Sequence, residues 1–208
     1  MKLSKRSFLL AYILLGIAAG AALRAQPVLE GVKTGGRQGR SWAVISFDSP
    51  STLAGISRTD QGSIAVYLAG TAGREGGGTY RMQEGHSLLV EPKGGQRGFI
   101  RCTVDYDGAL PVAAFSRGNN IVIAINDERL IRGTVKAWMQ TASAQAVPGL
   151  LKNVQNGPVG RNGGTVFSFD GRYSLSGFIL RDDDRATLLI SGASVFTESD
   201  FYPVGGGL

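Results

Sequence analysis

Histidine, the side chain most often used to move protons or hold zinc near neutral pH, occurs once in this chain, at His86 in Glu84-Gly-His-Ser. A zinc centre needs several His, Cys or carboxylate ligands, so one His cannot build one of the hydrolytic type. A Ser-His-Asp arrangement could use His86, but no Ser sits in a Gly-x-Ser-x-Gly elbow. We therefore read His86 as a solvated turn residue entering a strand. The run Asp182-Asp-Asp184 offers oxygen ligands of the kind calcium takes, yet it fits a polar hairpin turn as well. The glycine-rich stretches at 73–78, 94–95 and 160–164 lack Gly-Lys-Ser/Thr and open no helix, so they are not phosphate cradles. Cys102 is the only cysteine, which excludes an intramolecular disulfide; alternation with Ile100 and Val104 places it in a core. The chemistry points away from catalysis. No enzymatic activity, metal or cofactor is expected.

The elements around these residues repeat. Val44-Ile-Ser-Phe-Asp-Ser-Pro-Ser-Thr-Leu-Ala-Gly-Ile56 returns as Val166-Phe-Ser-Phe-Asp-Gly-Arg-Tyr-Ser-Leu-Ser-Gly-Phe178, an offset of 122 residues. The same offset carries Asp60 onto Asp182, Leu68 onto Ile190 and Gly70 onto Gly192. A fainter copy lies between them, at Thr103-Val-Asp-Tyr-Asp-Gly108 leading to Gly118-Asn-Asn-Ile-Val-Ile-Ala-Ile125. Short β-branched and aromatic runs, broken by Gly, Asp and Asn about every 8–12 residues, predict an all-β antiparallel sandwich. Tyr67 and Trp138 are expected in its core. Gly133-Thr-Val-Lys-Ala-Trp-Met139 reads as an added strand, and 140–146 as a helical turn or linker.

The first residues read as an export signal. Lys2, Lys5 and Arg6 precede an apolar run from Phe8 to Ala22, and Ala25 offers a small residue before a cleavage point. That run is shorter than the roughly 20 residues that span a bilayer. A periplasmic or secreted protein is expected, reaching a membrane only through an uncleaved signal. Losing Lys2, Lys5, Arg6 and Arg24 leaves 18 basic against 16 acidic residues, a net charge of +2 rather than +6. With no basic run interleaved with aromatics, a nucleic-acid partner is not expected.

The string Arg101-Cys-Thr-Val-Asp-Tyr-Asp-Gly108, then Pro111-Val-Ala-Ala-Phe115 and Gly118-Asn-Asn-Ile-Val-Ile-Ala-Ile125, resembles the AMIN domain. Trp42 to Thr71 resembles its other half, and Asp184-Arg-Ala-Thr-Leu-Leu-Ile190 falls where a family half-repeat ends; the family's closing Asp is replaced near Ala69, Ala124 and Ser191. The resemblance implies a sandwich of two symmetric small sheets, found in the envelope beside septal amidases and secretins, where it tethers proteins to peptidoglycan. The expected organisation is a signal over 1–25, a linker or first edge strand over 26–38, and an AMIN-like sandwich over 39–130. A linker or extra strand over 131–164 and a second partial unit over 165–208 follow, the latter completed by residues 133–154. The expected function is a non-catalytic module binding peptidoglycan, with a scaffold partner of an envelope complex, joined at sheet edges, as the alternative. Glycan binding calls for aromatic faces flanked by polar and charged groups. The candidates are Arg101, Arg117, Asn119 and Asn120 in the middle copy, and Arg172, Tyr173 and Arg185 in the third.

Overall fold

A computed structural model describes residues 26–58, 63–71, 77–93, 99–142, 149–159, 162–170, 173–181, 186–191 and 193–195. The chain opens with β1 (Leu29–Arg37) and β2 (Arg40–Phe47), then β3 (Leu53–Arg58) and β4 (Ile64–Ala69). Next come β5 (Gly78–Arg81), a 3-10 turn at Gln83–Gly85, β6 (Ser87–Lys93) and β7 (Phe99–Asp105). A hairpin of β8 (Val112–Arg117) and β9 (Asn120–Ile125) leads into helix α1 (Glu128–Ala142). The last strands are β10 (Gly149–Val159), β11 (Asn162–Asp170), β12 (Ser174–Leu180), β13 (Ala186–Ser191) and β14 (Ala193–Val195).

Ten strands form one nearly closed antiparallel sheet, in the order β1-β2-β9-β8-β12-β3-β4-β7-β6-β5, with β13 paired on β12. Its logic is the pleat: alternate side chains of each strand point inward. Ala43, Ile45 and Phe47 of β2 do so, as do Ile64, Val66 and Leu68 of β4 and Ile100, Cys102 and Val104 of β7, all at most 2 % exposed. They meet Ile121, Ile123 and Ile125 of β9 and Phe178 of β12 in one core. Cys102 lies there as expected, and burial pushes its thiol pKa up.

Two strands each pair on one side with a strand distant in sequence. After β2 the chain makes the β3–β4 hairpin, yet β2 pairs with β9, from Ser41↔Ile125 to Ser46↔Asn120. Correspondingly β7 pairs with β4, Ile64↔Val104 to Ala69↔Phe99, while β8 pairs with β9. The two hairpins are joined by β12: Gly177–Leu180 pair with Phe115–Val112 of β8, and Leu175 pairs with Leu53 of β3. Gly177 is required at this junction, because a Cβ would sit 2.7 Å from Phe115 Cδ1 and 2.9 Å from the Ala114 carbonyl oxygen.

The gap between β1 and β5 is bridged by side chains. Thr34 Oγ1 donates to the Arg81 carbonyl at 2.8 Å, and the Gly39 N–H donates to Glu84 Oε1 at 3.1 Å. At the other end of β1, Leu29 N–H donates to Thr71 O at 3.0 Å and Thr71 N–H to Pro27 O at 2.8 Å.

Several expectations are corrected. Residues 26–38 take the second of their two readings, a first edge strand: β1 pairs with β2 along its length and Val32 packs inward. Residues 133–139 form no strand. They lie inside α1, which Asp127 caps by accepting the Leu130 N–H at 3.0 Å. The helix places Ile131, Val135 and Trp138 on one face, against Ala113, Phe115, Ile179 and Leu189 on the outside of β8, β12 and β13. That spacing, i, i+4 and i+7, wins over the β-branched residues that suggested a strand. The third copy is divided between two sheets, and 149–154 of the residues expected to complete it do pair with it. Its first strand, β11, pairs with β10 in a separate three-stranded sheet with β14, while β12 and β13 belong to the main sheet.

Candidate functional site

The inward face of the sheet is filled, so ligand chemistry must use an outer face or an end. One outer face is covered by α1. The other, across β4, β7 and β6, carries the residues that the pleat turns away from the core. Tyr67 pairs with Arg101, and Arg101 with Glu91, so the three lie side by side across three strands. Tyr67 was expected in the core; Val66 and Leu68 occupy the inward positions beside it, and the alternation puts its ring outside.

Beside this row stands Phe99, 39 % exposed, whose ring meets that of Tyr67 edge-on with centroids 6.0 Å apart. Leu89 extends the apolar surface on β6. The Tyr67 hydroxyl lies 3.4 Å from Ser57 Oγ. Arg101 Nη1 stands 3.9 Å from Glu91 Oε2, a long ion pair, and Arg101 Nε is enclosed without a hydrogen-bond partner. Long pairing of this kind contributes little to stability, and the Arg101 side chain is about one-third exposed. Aromatic edge, cation, carboxylate and aliphatic patch thus share one partly exposed surface.

The other nominated residues fall elsewhere. Arg117, Asn119 and Asn120 belong to the β8–β9 turn, and β8 lies four strands along the sheet from β7. Arg117 is exposed. Asn119 Nδ2 donates to the Asp48 carbonyl at 3.2 Å, and its own carbonyl accepts the Phe47 N–H at 2.9 Å. Asn120 Oδ1 accepts from Ser46 Oγ at 2.7 Å. These two amides tie the turn to the end of β2. Tyr173 directly precedes β12, whose register with β8 brings it to the same end as this turn. Arg172 and Arg185 lie outside the described residues, as does Asp182-Asp-Asp184. Arg101 therefore stands apart from the turn residues.

His86 is not a solvated turn residue. It is 7 % exposed, and its Nδ1 lies 3.0 Å from Ser41 Oγ, which donates to the Gln83 carbonyl at 2.8 Å. With the Ser41 proton committed to Gln83, the imidazole must donate from Nδ1. The pair is a clasp between β2 and the 3-10 turn, and it holds the hydroxyl away from any nucleophilic role. Among the described residues no group of three or more His, Cys, Asp or Glu is placed to hold a metal ion.

Tyr67, Phe99 and Glu91 were missed by reasoning from the sequence. The signal was present: Phe99-Ile-Arg-Cys-Thr-Val104 alternates strictly, so the parity that buries Cys102 exposes Phe99 and Arg101. Register with β4 and β6 was needed to add the other two.

No family model, curated protein or solved structure matches the chain. Its functional reading rests on its own surfaces.

Proposed function

We propose that the protein is a non-catalytic cell-envelope module that binds peptidoglycan on the outer face of β4, β7 and β6. The carrying observation is the partly exposed row Tyr67–Arg101–Glu91 with Phe99 alongside. Aromatic rings receive the apolar faces of sugars, and an arginine fork pairs with carboxylates of the stem peptides. The reading is compatible with the exchange of strands in the sheet, in which β2 pairs with β9 of the β8–β9 hairpin and β7 with β4 of the β3–β4 hairpin, with β12 between the hairpins. The apolar N-terminal run of the sequence agrees with an exported protein.

Purified protein incubated with isolated sacculi tests this directly. Co-sedimentation is expected, with Arg101→Ala and Tyr67→Ala each weakening it several-fold while leaving the melting temperature nearly unchanged. Unaltered retention of an Arg101→Ala/Tyr67→Ala double variant would remove this face from the reading. A parent protein that stays in the supernatant would remove peptidoglycan altogether.

The alternative, a scaffold partner joined at sheet edges, is favoured by one feature. β13 pairs only with β12 among the described strands, so it presents an edge for strand addition.

A further inference from the structure

Helix α1 buries one side against the sheet and turns a different chemistry to solvent. Arg129, Arg132 and Lys136 are all exposed, and so is Met139. At 3.6 residues per turn these four positions fall within an arc of about 80°. No exposed position of the helix is acidic. Its one acid, Glu128, is paired with Arg181 of the segment after β12. The Nε of Arg132 donates to the Glu128 carbonyl at 3.3 Å, which lays the side chain along the helix. Met139 is 61 % exposed, well above Phe99 and Leu89.

The placement of this face matters as much as its charge. Trp138 Nε1 donates to Ser191 Oγ at 2.9 Å, and Ser191 pairs with Ser174 at the start of β12. The C-terminal part of α1 therefore reaches the end of the sheet that carries the β8–β9 turn and exposed Arg117. The chain enters at that same end: Leu29 pairs with Phe47, whose N–H donates to Asn119 of the turn. In the sequence, the apolar run Phe8–Ala22 stops three residues before Gln26. Lys136 and Met139 therefore stand toward the end of the sheet at which the chain enters. Asp48 also lies here, its carboxylate held by the Val28 N–H at 2.8 Å and by Ser49.

We propose that the solvent face of α1 docks the protein on an anionic phospholipid surface. Arg129, Arg132 and Lys136 engage headgroup phosphates, and Met139 enters the interfacial layer. No helix among the described residues is long and apolar enough to cross a membrane. The apolar side of α1 is already used against Phe115, Ile179 and Leu189, so the helix lies on the surface instead of sinking into it. The exposed methionine favours lipid over a soluble polyanion, to which a thioether adds nothing.

The test is co-sedimentation of the full chain with vesicles of equal parts phosphatidylglycerol and phosphatidylcholine, compared with phosphatidylcholine alone. The N-terminal segment, with Lys2, Lys5, Arg6 and Arg24, adds to the anionic preference of parent and variants alike, so the difference between parent and variants reads the helix face. Binding to the anionic vesicles is expected to be stronger and to weaken with added salt. The Arg129→Gln/Arg132→Gln/Lys136→Gln variant should lose on the order of a hundredfold in anionic partition, roughly fivefold per cation, with the phosphatidylcholine value unchanged. Met139→Gln should lose less, and independently of salt. The single reversal Lys136→Glu serves as a second variant of minimal structural consequence and should shift partition in the same direction. Equal partition of parent and variants, or no preference for the anionic vesicles, would overturn the proposal. So would capture on polyphosphate without any vesicle preference.

Discussion

Phe178 and Ile179 are neighbours in β12 and bury their side chains in different cores. Phe178 points into the nearly closed sheet, and Ile179 points outward beneath α1. One strand therefore seals the junction between the hairpins and also provides the platform for the helix. Phe178→Ala is expected to cost about 3–5 kcal/mol, as large aromatic truncations do in a filled core. Ile179→Ala should cost about 2–3 kcal/mol, because the smaller cluster can partly collapse. Denaturant unfolding measures both. Native-state amide exchange separates them, since only Ile179→Ala should raise exchange in α1 selectively.

Gly177 permits the close approach of β12 to β8. A methyl there meets the Ala114 carbonyl, which belongs to the sheet and cannot swing aside. Gly177→Ala should destabilise by about 1–3 kcal/mol in urea unfolding, despite burying more apolar surface. A neutral or stabilising result would mean that β12 is not seated as described.

The Ser41–His86 clasp is a satisfied buried pair, so breaking it from one side leaves orphans. Ser41→Ala leaves His86 Nδ1 without its partner, while the Gln83 carbonyl keeps the His86 N–H at 3.2 Å, and should cost about 1–3 kcal/mol. In a double-mutant cycle with His86→Leu, non-additivity is expected because the two side chains share one bond. Strict additivity would argue that they act independently.

Asp48 predicts an acid-sensitive chain start. Hydrogen bonds from the Val28 N–H first, and from the Ser49 hydroxyl second, hold its pKa below the ordinary 3.8. A depressed folded pKa means that the contribution is complete above that value and is lost as pH falls through the lowered one. Melting temperature measured from pH 6 downward should fall more steeply below about pH 4 for the parent than for Asp48→Asn. Parallel curves would remove the assignment.

Arg101 offers a functional contrast to these stability effects. Its side chain is about one-third exposed and its ion pair with Glu91 is long, so Arg101→Gln should change stability by less than about 1 kcal/mol. Retention on sacculi should nevertheless fall several-fold. A loss of stability without a loss of retention would make Arg101 a strand residue only.

Much of this protein follows from local pattern. Alternation of small runs determined the strands, the burial of Cys102 and the outward parity of Arg101, because a pleated strand has only two faces. The segment that recurs in the sequence falls on β2–β3 and β11–β12. What alternation cannot carry is which strand lies beside which. That β2 leaves its own copy for β9, that β12 joins β8 to β3, and that Tyr67, Arg101 and Glu91 share a row are decided by long-range pairing. Each arrangement satisfies the same local hydrogen bonds, and only the combined packing of the core distinguishes them. The helix shows the same limit from the other side. Thr134, Val135 and Trp138 suit a strand locally, but the outer face of β8 and β12 offered Ile131, Val135 and Trp138 an apolar surface at helical spacing. Tertiary burial outweighed propensity there, and it also turned Arg129, Arg132 and Lys136 together toward solvent.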